Sequence, residues 1–225
     1  MKKLLSLVLL LACSAVSYAQ NEVTQFLGIP VDGSKSEMIQ KLKAKGFRYD
    51  SELDCLKGEF NGRDSYISVV TNNNKVYRIM VRDVTSSSES DIRIRFNTLC
   101  RQFENNKKYQ SLSSESYIIP EDENISYEMS VNKKRYQASY FQIPEGGIDS
   151  TIMKETQSFI FSKYSQEQLS SLTEEQTQEL MTEVLLYMTE KFYNRSVWFM
   201  IDEMYGDYYI LLYYDNGYNQ ADGED

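Results

Sequence analysis

The sequence predicts an α+β fold in which helices cover one face of an antiparallel sheet. Three observations support this fold class. Segments that begin with a helix-start pattern carry apolar residues at steps of three and four, the spacing of an amphipathic helix. Each segment is followed by short stretches of alternating apolar and polar residues, joined by tight turn sequences. Because tight turns join antiparallel neighbours and each helix has one apolar stripe, the helices can all pack on one side of the sheet.

The first nineteen residues have the layout of a bacterial secretory signal peptide. Two lysines precede an apolar run, and Ser17-Tyr18-Ala19 forms a small-x-small cleavage site. The run is shorter than the about 20 apolar residues that span a bilayer, so we expect no membrane span. The mature chain would begin at Gln20 and be periplasmic or extracellular. Alternatively, Leu10-Leu11-Ala12-Cys13 is a lipobox, and the protein is an outer-membrane lipoprotein anchored through Cys13.

The first predicted repeat covers residues 28–84. Ser34 and Glu37 form a capping box that begins a helix of about three turns, and Gly46 is suited to end that helix. Three antiparallel strands follow. Between the first two, Asn61-Gly62 is a strong hairpin signal.

A second repeat is predicted over residues 86–143. Its helix carries an apolar stripe with steps of 4, 3 and 4 residues, formed by Ile92, Phe96, Leu99 and Phe103. Its strands are expected at 114–119, 125–131 and 135–143.

A third repeat is predicted over residues 157–215. Its helix begins at a capping box of Thr173 and Gln176, and it ends in a hairpin of strands 197–202 and 208–214. We expect the three pseudo-repeats to form a single compact domain over residues 20–225.

The first repeat also carries a family resemblance. The pattern Gly33-Ser34-x-x-Glu37-Met38-x-x-x-Leu42, followed by a β-meander, resembles the repeat of the β-lactamase inhibitor protein and of small outer-membrane assembly lipoproteins. The resemblance covers residues 28–84 and, more weakly, 86–143. The segment from Phe26 to Phe47 is similar to uncharacterised exported proteins of Gram-negative gut bacteria. The resemblance implies a non-enzymatic, inhibitor-like binding fold whose sheet face contacts another protein.

Composition excludes several classes of function. The chain has 33 acidic and 24 basic residues, a net charge of −9, and no histidine. A net negative charge argues against binding to nucleic acid or anionic lipid, which requires clustered lysine and arginine. The lack of histidine excludes Ser-His-Asp and Cys-His catalysis and histidine-ligated zinc. We therefore expect no cofactor, no metal and no enzymatic activity.

The alternative is a hydrolase that acts on carbohydrates through paired carboxylates. Asp202, Glu203 and Asp207 flank the last turn and could supply such a pair. This hypothesis requires a concave pocket with two acidic side chains about 5–10 Å apart.

Two cysteines, Cys55 and Cys100, remain after simple signal cleavage. Two cysteines in an oxidising compartment are typical of one disulfide, and a helix carrying Cys100 could pack on a strand carrying Cys55. The alternative is two buried free thiols, because free cysteine behaves as a small apolar residue.

Tyrosine is unusually frequent, with 18 residues. Tyrosine and tryptophan are enriched at recognition surfaces because they offer large, rigid contact areas with a polar group, although tyrosine is also an ordinary strand residue. We predict a surface for an unknown protein partner on one sheet face. Its candidate residues are Trp198, Tyr208, Tyr209, Tyr213, Tyr66, Tyr77 and Tyr127.

Trp198 is the only tryptophan, and its strand alternates between two faces. We expect Val197, Phe199 and Ile201 to pack under the third predicted helix, against its apolar residues Leu180, Val184 and Met188. Trp198 would then lie on the opposite sheet face and be partly exposed.

Overall fold

An eight-stranded antiparallel sheet forms the centre of the computed structural model, which describes residues 23–113, 115–143, 150–169 and 171–221. The strands are β1 Gln25–Phe26, β2 Ile29–Pro30, β3 Arg48–Asp50, β4 Cys55–Phe60, β5 Arg63–Asn72, β6 Lys75–Asp83, β7 Tyr109–Ser111, β8 Gln137–Gln142, β9 Ser196–Met204 and β10 Asp207–Asp215. The helices are α1 Lys35–Ala44, α2 Glu89–Glu104, α3 Ile125–Ser130, α4 Ser150–Lys163, α5 Gln166–Leu169 and α6 Glu174–Phe192. The predicted signal peptide and Cys13 lie outside the described residues.

Local sequence signals are confirmed in the first half of the chain. Ser34 accepts a hydrogen bond from the backbone N–H of Glu37, and Glu37 accepts one from the backbone N–H of Ser34, so the capping box forms. Gly46 follows α1 with φ +100°, a conformation that favours glycine. Asn61 and Gly62 have φ of 50° and 72°, the two positive values that a tight hairpin turn needs.

The strand order in the sheet is β3-β4-β5-β6-β10-β9-β8-β7, and all neighbours are antiparallel. Strands β3 to β6 form one meander after α1, and β7 to β10 form a second after α2. The two meanders join through their last strands, with Leu212 opposite Val81 and Tyr213 opposite Met80. Strands β9 and β10, expected in a separate third repeat, therefore complete the second meander, and helices α4 to α6 are an insertion before β9.

Two strand predictions of the second repeat are wrong: residues 115–119 form no strand, and the segment 125–131 is largely helical. Residues Ile125–Ser130 form α3, and the side chain of Asn124 caps it by accepting the N–H of Tyr127. The strand that precedes β8 is instead the short β7, and it pairs with β8 through Ser111 opposite Tyr140.

The core lies between one sheet face and helices α1 and α2. Met38 and Leu42 of α1 are buried there, as is the complete predicted stripe of α2. Val197, Phe199 and Ile201 are fully buried in the same core, which confirms their predicted face.

The helix that covers Val197, Phe199 and Ile201 is α2, and not the third predicted helix. The ring of Phe199 lies 5.1 Å from that of Phe96 and 5.4 Å from that of Phe103, both on α2. Helix α6, which carries Leu180, contacts α4 and β8. The apolar stripe of α6 indicates burial but does not specify the partner, and α2 already covers β9 and β10.

Cys55 and Cys100 are both buried and both free, so the predicted disulfide is absent from this structure. Cys100 lies in the core on α2, which contacts β7, β9 and β10. Cys55 is on β4, three strand spacings from β10, or about 14 Å. A disulfide requires Cα atoms within about 7 Å of each other, so the position of α2 explains why the two thiols stay apart.

Candidate functional site

The sheet face opposite α1 and α2 carries most of the predicted aromatic residues. On β9, Trp198 and Met200 are half-buried between the fully buried Val197, Phe199 and Ile201, so they point to this second face. Cross-strand register extends the assignment to the neighbouring strands. We call this surface the open face, and it includes Lys57, Tyr66, Tyr77, Arg78, Met80, Arg82, Trp198, Met200, Asp202, Tyr209, Leu211, Tyr213 and Asp215.

An ion pair lies at one end of the open face. Arg78 on β6 donates from Nε to Asp215 Oδ1 at 2.6 Å and from Nη2 to Oδ2 at 2.8 Å, a bidentate geometry. Trp198 donates its indole N–H to the same Oδ2 at 2.9 Å. The Asp215 side chain is only 4% exposed, against 25% for Arg78. Asp215 therefore holds both side chains in fixed positions.

Two aromatic rings complete this group. The rings of Trp198 and Tyr213 stack with centroids 4.0 Å apart and planes at 20°. The Arg78 guanidinium carbon lies 4.8 Å from the Tyr213 centroid and 5.5 Å from that of Trp198, within cation–π distance. We call Arg78, Trp198, Tyr213 and Asp215 the Arg78 cluster.

A β-bulge brings Tyr77 to the Arg78 cluster. The register of β5 and β6 shifts so that Val70 faces Arg78 while Thr71 faces Val76, which leaves Tyr77 as the extra residue. Val76 remains fully buried in the core, and the Arg78 guanidinium lies 5.7 Å from the Tyr77 ring. The bulge thus places two consecutive side chains on the same face, which strict alternation would forbid.

The surroundings of Arg78 and Tyr213 shift both pKa values upward. The hydrogen bonds that Arg78 donates to Asp215 raise the pKa of Arg78 above its ordinary value, more than burial lowers it. Burial raises the pKa of Tyr213, although the positive charge of Arg78 opposes this. The arginine therefore stays cationic and the tyrosine neutral near neutral pH.

Two more cation–aromatic pairs lie on the open face. Lys57 Nζ is 5.5 Å from the ring centroid of Tyr66, and it also pairs with Asp50 at 2.8 Å. The Arg82 guanidinium carbon is 4.3 Å from the ring centroid of Tyr209. The face therefore alternates cations and aromatic rings across its strands.

Five of the seven predicted binding residues lie on this face, and two do not. Tyr208 is on the core side of β10, only 5% exposed, and its hydroxyl bonds that of Ser126. Tyr127 is 52% exposed but lies on α3, outside the sheet. Tyr208 alternates with Tyr209 along its strand, so adjacent tyrosines cannot share a face.

Arg78, Arg82 and Asp215 also lie on the open face, although only aromatic residues were predicted there from the sequence. The alternation of Arg78, Met80 and Arg82 with the buried Ile79 and Val81 is a sequence signal that would have found the two arginines. Asp215 has no such signal, because it lies 137 positions from its partner Arg78.

A pocket of about 1160 Å³ lies elsewhere, at the C-terminal end of α2, and it bears on the hydrolase alternative. Its lining includes Phe60, Phe103 and Tyr214, and the only carboxylate that lines it is Glu59. Carboxylate-pair hydrolysis needs two acids, so this pocket does not supply the required site.

The acids predicted for the hydrolase alternative lie at the β9–β10 turn, away from this pocket. Asp202 is half-buried opposite Tyr209, whereas Glu203 and Asp207 are exposed. Glu203 accepts the backbone N–H of Gly206 at 2.5 Å, a turn contact. Within the described ranges, no cluster of three acidic or cysteine residues is suited to hold a metal ion. Nor does any described helix have the length and hydropathy to cross a membrane.

No family model, curated protein or solved structure matches this chain. The geometry of the open face is therefore the basis for a functional proposal.

Proposed function

We propose that this protein is a non-enzymatic binding module that recognises a protein partner through its open face. The observation that carries the proposal is the Arg78 cluster, in which a stacked Trp198–Tyr213 pair is held by a largely buried ion pair. Rings that are fixed before binding lose little conformational entropy on association, and tryptophan, tyrosine and arginine dominate binding energies at protein interfaces.

The arrangement of the two halves supports the inhibitor-like part of the proposal. Each half is a helix followed by a four-stranded meander, and the halves join edge to edge in one sheet. This leaves one broad sheet face with side chains from both halves, the type of surface that the resemblance to the β-lactamase inhibitor repeat implies.

Capture from cell-envelope extract with matched variants tests the function. The native protein, Trp198→Ala and Tyr127→Ala would serve as bait, with bound proteins quantified by mass spectrometry. Tyr127 is the matched control because it is an exposed aromatic residue outside the open face. We expect one partner to be retained by native protein and Tyr127→Ala and lost with Trp198→Ala. Equal retention by both variants would show that the open face is not the binding surface.

Export is part of the proposal and rests on the first nineteen residues. Intact mass of the protein from its native host distinguishes its two forms. A chain that begins at Gln20 indicates a periplasmic or secreted protein, whereas diacylglyceryl on Cys13 indicates an outer-membrane lipoprotein. A full-length, unprocessed chain would contradict both forms.

A further inference from the structure

We propose that Arg82 binds a carboxylate of the partner, so that the open face recognises an acidic residue next to apolar residues. The inference rests on the proposed binding function and adds the chemistry of the recognised segment. Arg82 differs from nearby arginines because it has no hydrogen-bond acceptor among the described residues.

Arg82 has no acceptor in the described part of the chain. It forms no hydrogen bond or ion pair there, and its Nε is inaccessible to solvent and unpartnered. Its guanidinium instead lies against the ring of Tyr209. Asp202, which is opposite Tyr209 on β9, does not pair with it either.

Two other arginines pair with acids of the sheet. Arg78 binds Asp215 with two hydrogen bonds, and Arg95 on α2 pairs with Asp83 at 3.3 Å. Arg93 on α2 has an unpartnered Nε like Arg82, but it donates to the backbone carbonyl of Glu123 at 3.0 Å and lies 3.8 Å from Glu89. Arg82 is thus a partly buried cation whose desolvation is not compensated by hydrogen bonds to any residue that the structure describes.

A carboxylate is the group that compensates such a cation best. A guanidinium presents planar donors that match the two oxygens of a carboxylate, and stacking on an aromatic ring keeps the planar group in one orientation. A partner carboxylate on the open face would therefore meet donors that are already held in place by Tyr209.

The ion pairs of the open face also favour an acidic group at Arg82. Asp215 neutralises Arg78, and Asp50 pairs with Lys57. Strand alternation places Asp64 and Asp202 on the same face, but neither pairs with Arg82, which leaves Arg82 as a half-buried cation without a counter-ion among the described residues. A partner that supplies this counter-ion is complementary in charge.

The neighbours of Arg82 specify what accompanies the carboxylate. Tyr66 is opposite Arg82 on β5, Leu211 is opposite it on β10, and Met200 follows Leu211 on β9. These side chains form a row with spacings of about 4.8 Å across the strands. An acidic residue followed by one or two apolar residues would place its carboxylate at Arg82 and its apolar groups on Leu211 and Met200.

Selection from a random twelve-residue peptide library displayed on phage tests the inference with a defined probe. Peptides would be selected on the immobilised native protein, and one enriched peptide would be synthesised in its native form and with its acidic residue changed to the amide. Affinities would be measured for native protein, Arg82→Gln, Arg82→Lys, Trp198→Ala and the control Arg135→Gln, an exposed arginine outside the strands.

We expect enriched peptides to carry Asp or Glu beside apolar residues. Arg82→Gln should weaken binding of the acidic peptide about tenfold or more. The amide peptide should bind native protein and Arg82→Gln equally, because it already lacks the carboxylate that Arg82 would contact. Arg82→Lys should retain part of the affinity, and Arg135→Gln all of it.

The contrary outcomes separate the two proposals. Peptides without acidic residues that lose binding on Trp198→Ala would reject the role of Arg82 and support the open face. Acidic peptides bound equally by native protein and Arg82→Gln would reject the role of Arg82. Peptides unaffected by Trp198→Ala, or no enrichment, would count against the open-face function itself.

Discussion

Trp198 donates its indole N–H to Asp215 at 2.9 Å. The two residues lie on neighbouring strands, and both side chains are on the sheet face opposite α1 and α2. The same carboxylate receives both hydrogen bonds from Arg78. A single buried acid therefore fixes the aromatic ring and the cation that we propose as the binding anchor.

Replacement of this acid should release both groups. We expect Asp215→Asn to lower the free energy of unfolding by about 2–3 kcal/mol, because it leaves Arg78 partly buried without a counter-ion. Urea denaturation measures the loss. Trp198 is the only tryptophan, so its emission should shift to the red as the indole becomes more solvated. Unchanged stability and emission would contradict the role assigned to Asp215.

Arg78 and Arg82 should respond in opposite ways to the same substitution. Arg78→Met removes one partner of a largely buried ion pair and should cost about 2–4 kcal/mol, since Asp215 is left uncompensated. Arg82→Met removes a cation that has no counter-ion in the described part of the chain, and it should be neutral or stabilising by up to about 1 kcal/mol. The two variants differ only in position on β6, so each is the control for the other in thermal or urea unfolding. A large loss for Arg82→Met would show that Arg82 has a structural acceptor.

Trp198 and Phe199 are adjacent in the chain but should contribute to different properties. Phe199 is fully buried against Phe96 and Phe103, so Phe199→Ala should cost about 3–5 kcal/mol of stability. Trp198→Ala should cost clearly less, about 1–2 kcal/mol, because the ring is partly exposed and mainly loses its stacking and one hydrogen bond.

Trp198→Ala should have a larger effect on partner binding than on stability. A partner identified through the open face should bind Trp198→Ala more weakly by roughly 2 kcal/mol or more, as anchor residues do. Equal stability losses for both substitutions would place Trp198 in the core and refute the proposed site.

Both cysteines should be unreactive in the folded protein. Burial raises the pKa of the Cys100 thiol to about 12 and also raises that of Cys55, so neither forms appreciable thiolate near pH 8. The sample is protein that lacks Cys13, without reductant. A thiol reagent should modify two groups per chain in denaturant and almost none under native conditions. No modification in denaturant would indicate the disulfide that is absent from this structure.

The same thiol links stability to alkaline pH. The pKa of Cys100 is higher in the folded chain than the ordinary value of 9.0, so the folded state retains a proton that the unfolded state loses. Its contribution to stability is complete below about pH 9 and declines as pH rises from there toward 12. Cys100→Ala should lessen this decline relative to the native protein.

Short-range sequence patterns determined several elements and their orientation. The capping box before α1, the Asn61-Gly62 turn and the apolar stripe of α2 all form as expected. The alternation of β9 correctly places Val197 and Phe199 in the core and Trp198 opposite them. These features depend on hydrogen bonds and burial within one segment, so the local sequence contains the information that specifies them.

Tertiary structure decided which segments meet. The pairing of β6 with β10 and the return of β9 to β8 after a three-helix insertion depend on which strand edges stay free after the hairpins form. The same pairing brings Arg78 and Asp215 together across 137 positions, keeps Cys55 from Cys100, and separates Tyr208 from Tyr209. Local patterns specify a residue's face but not its neighbour, because a strand edge offers the same backbone hydrogen bonds to any partner.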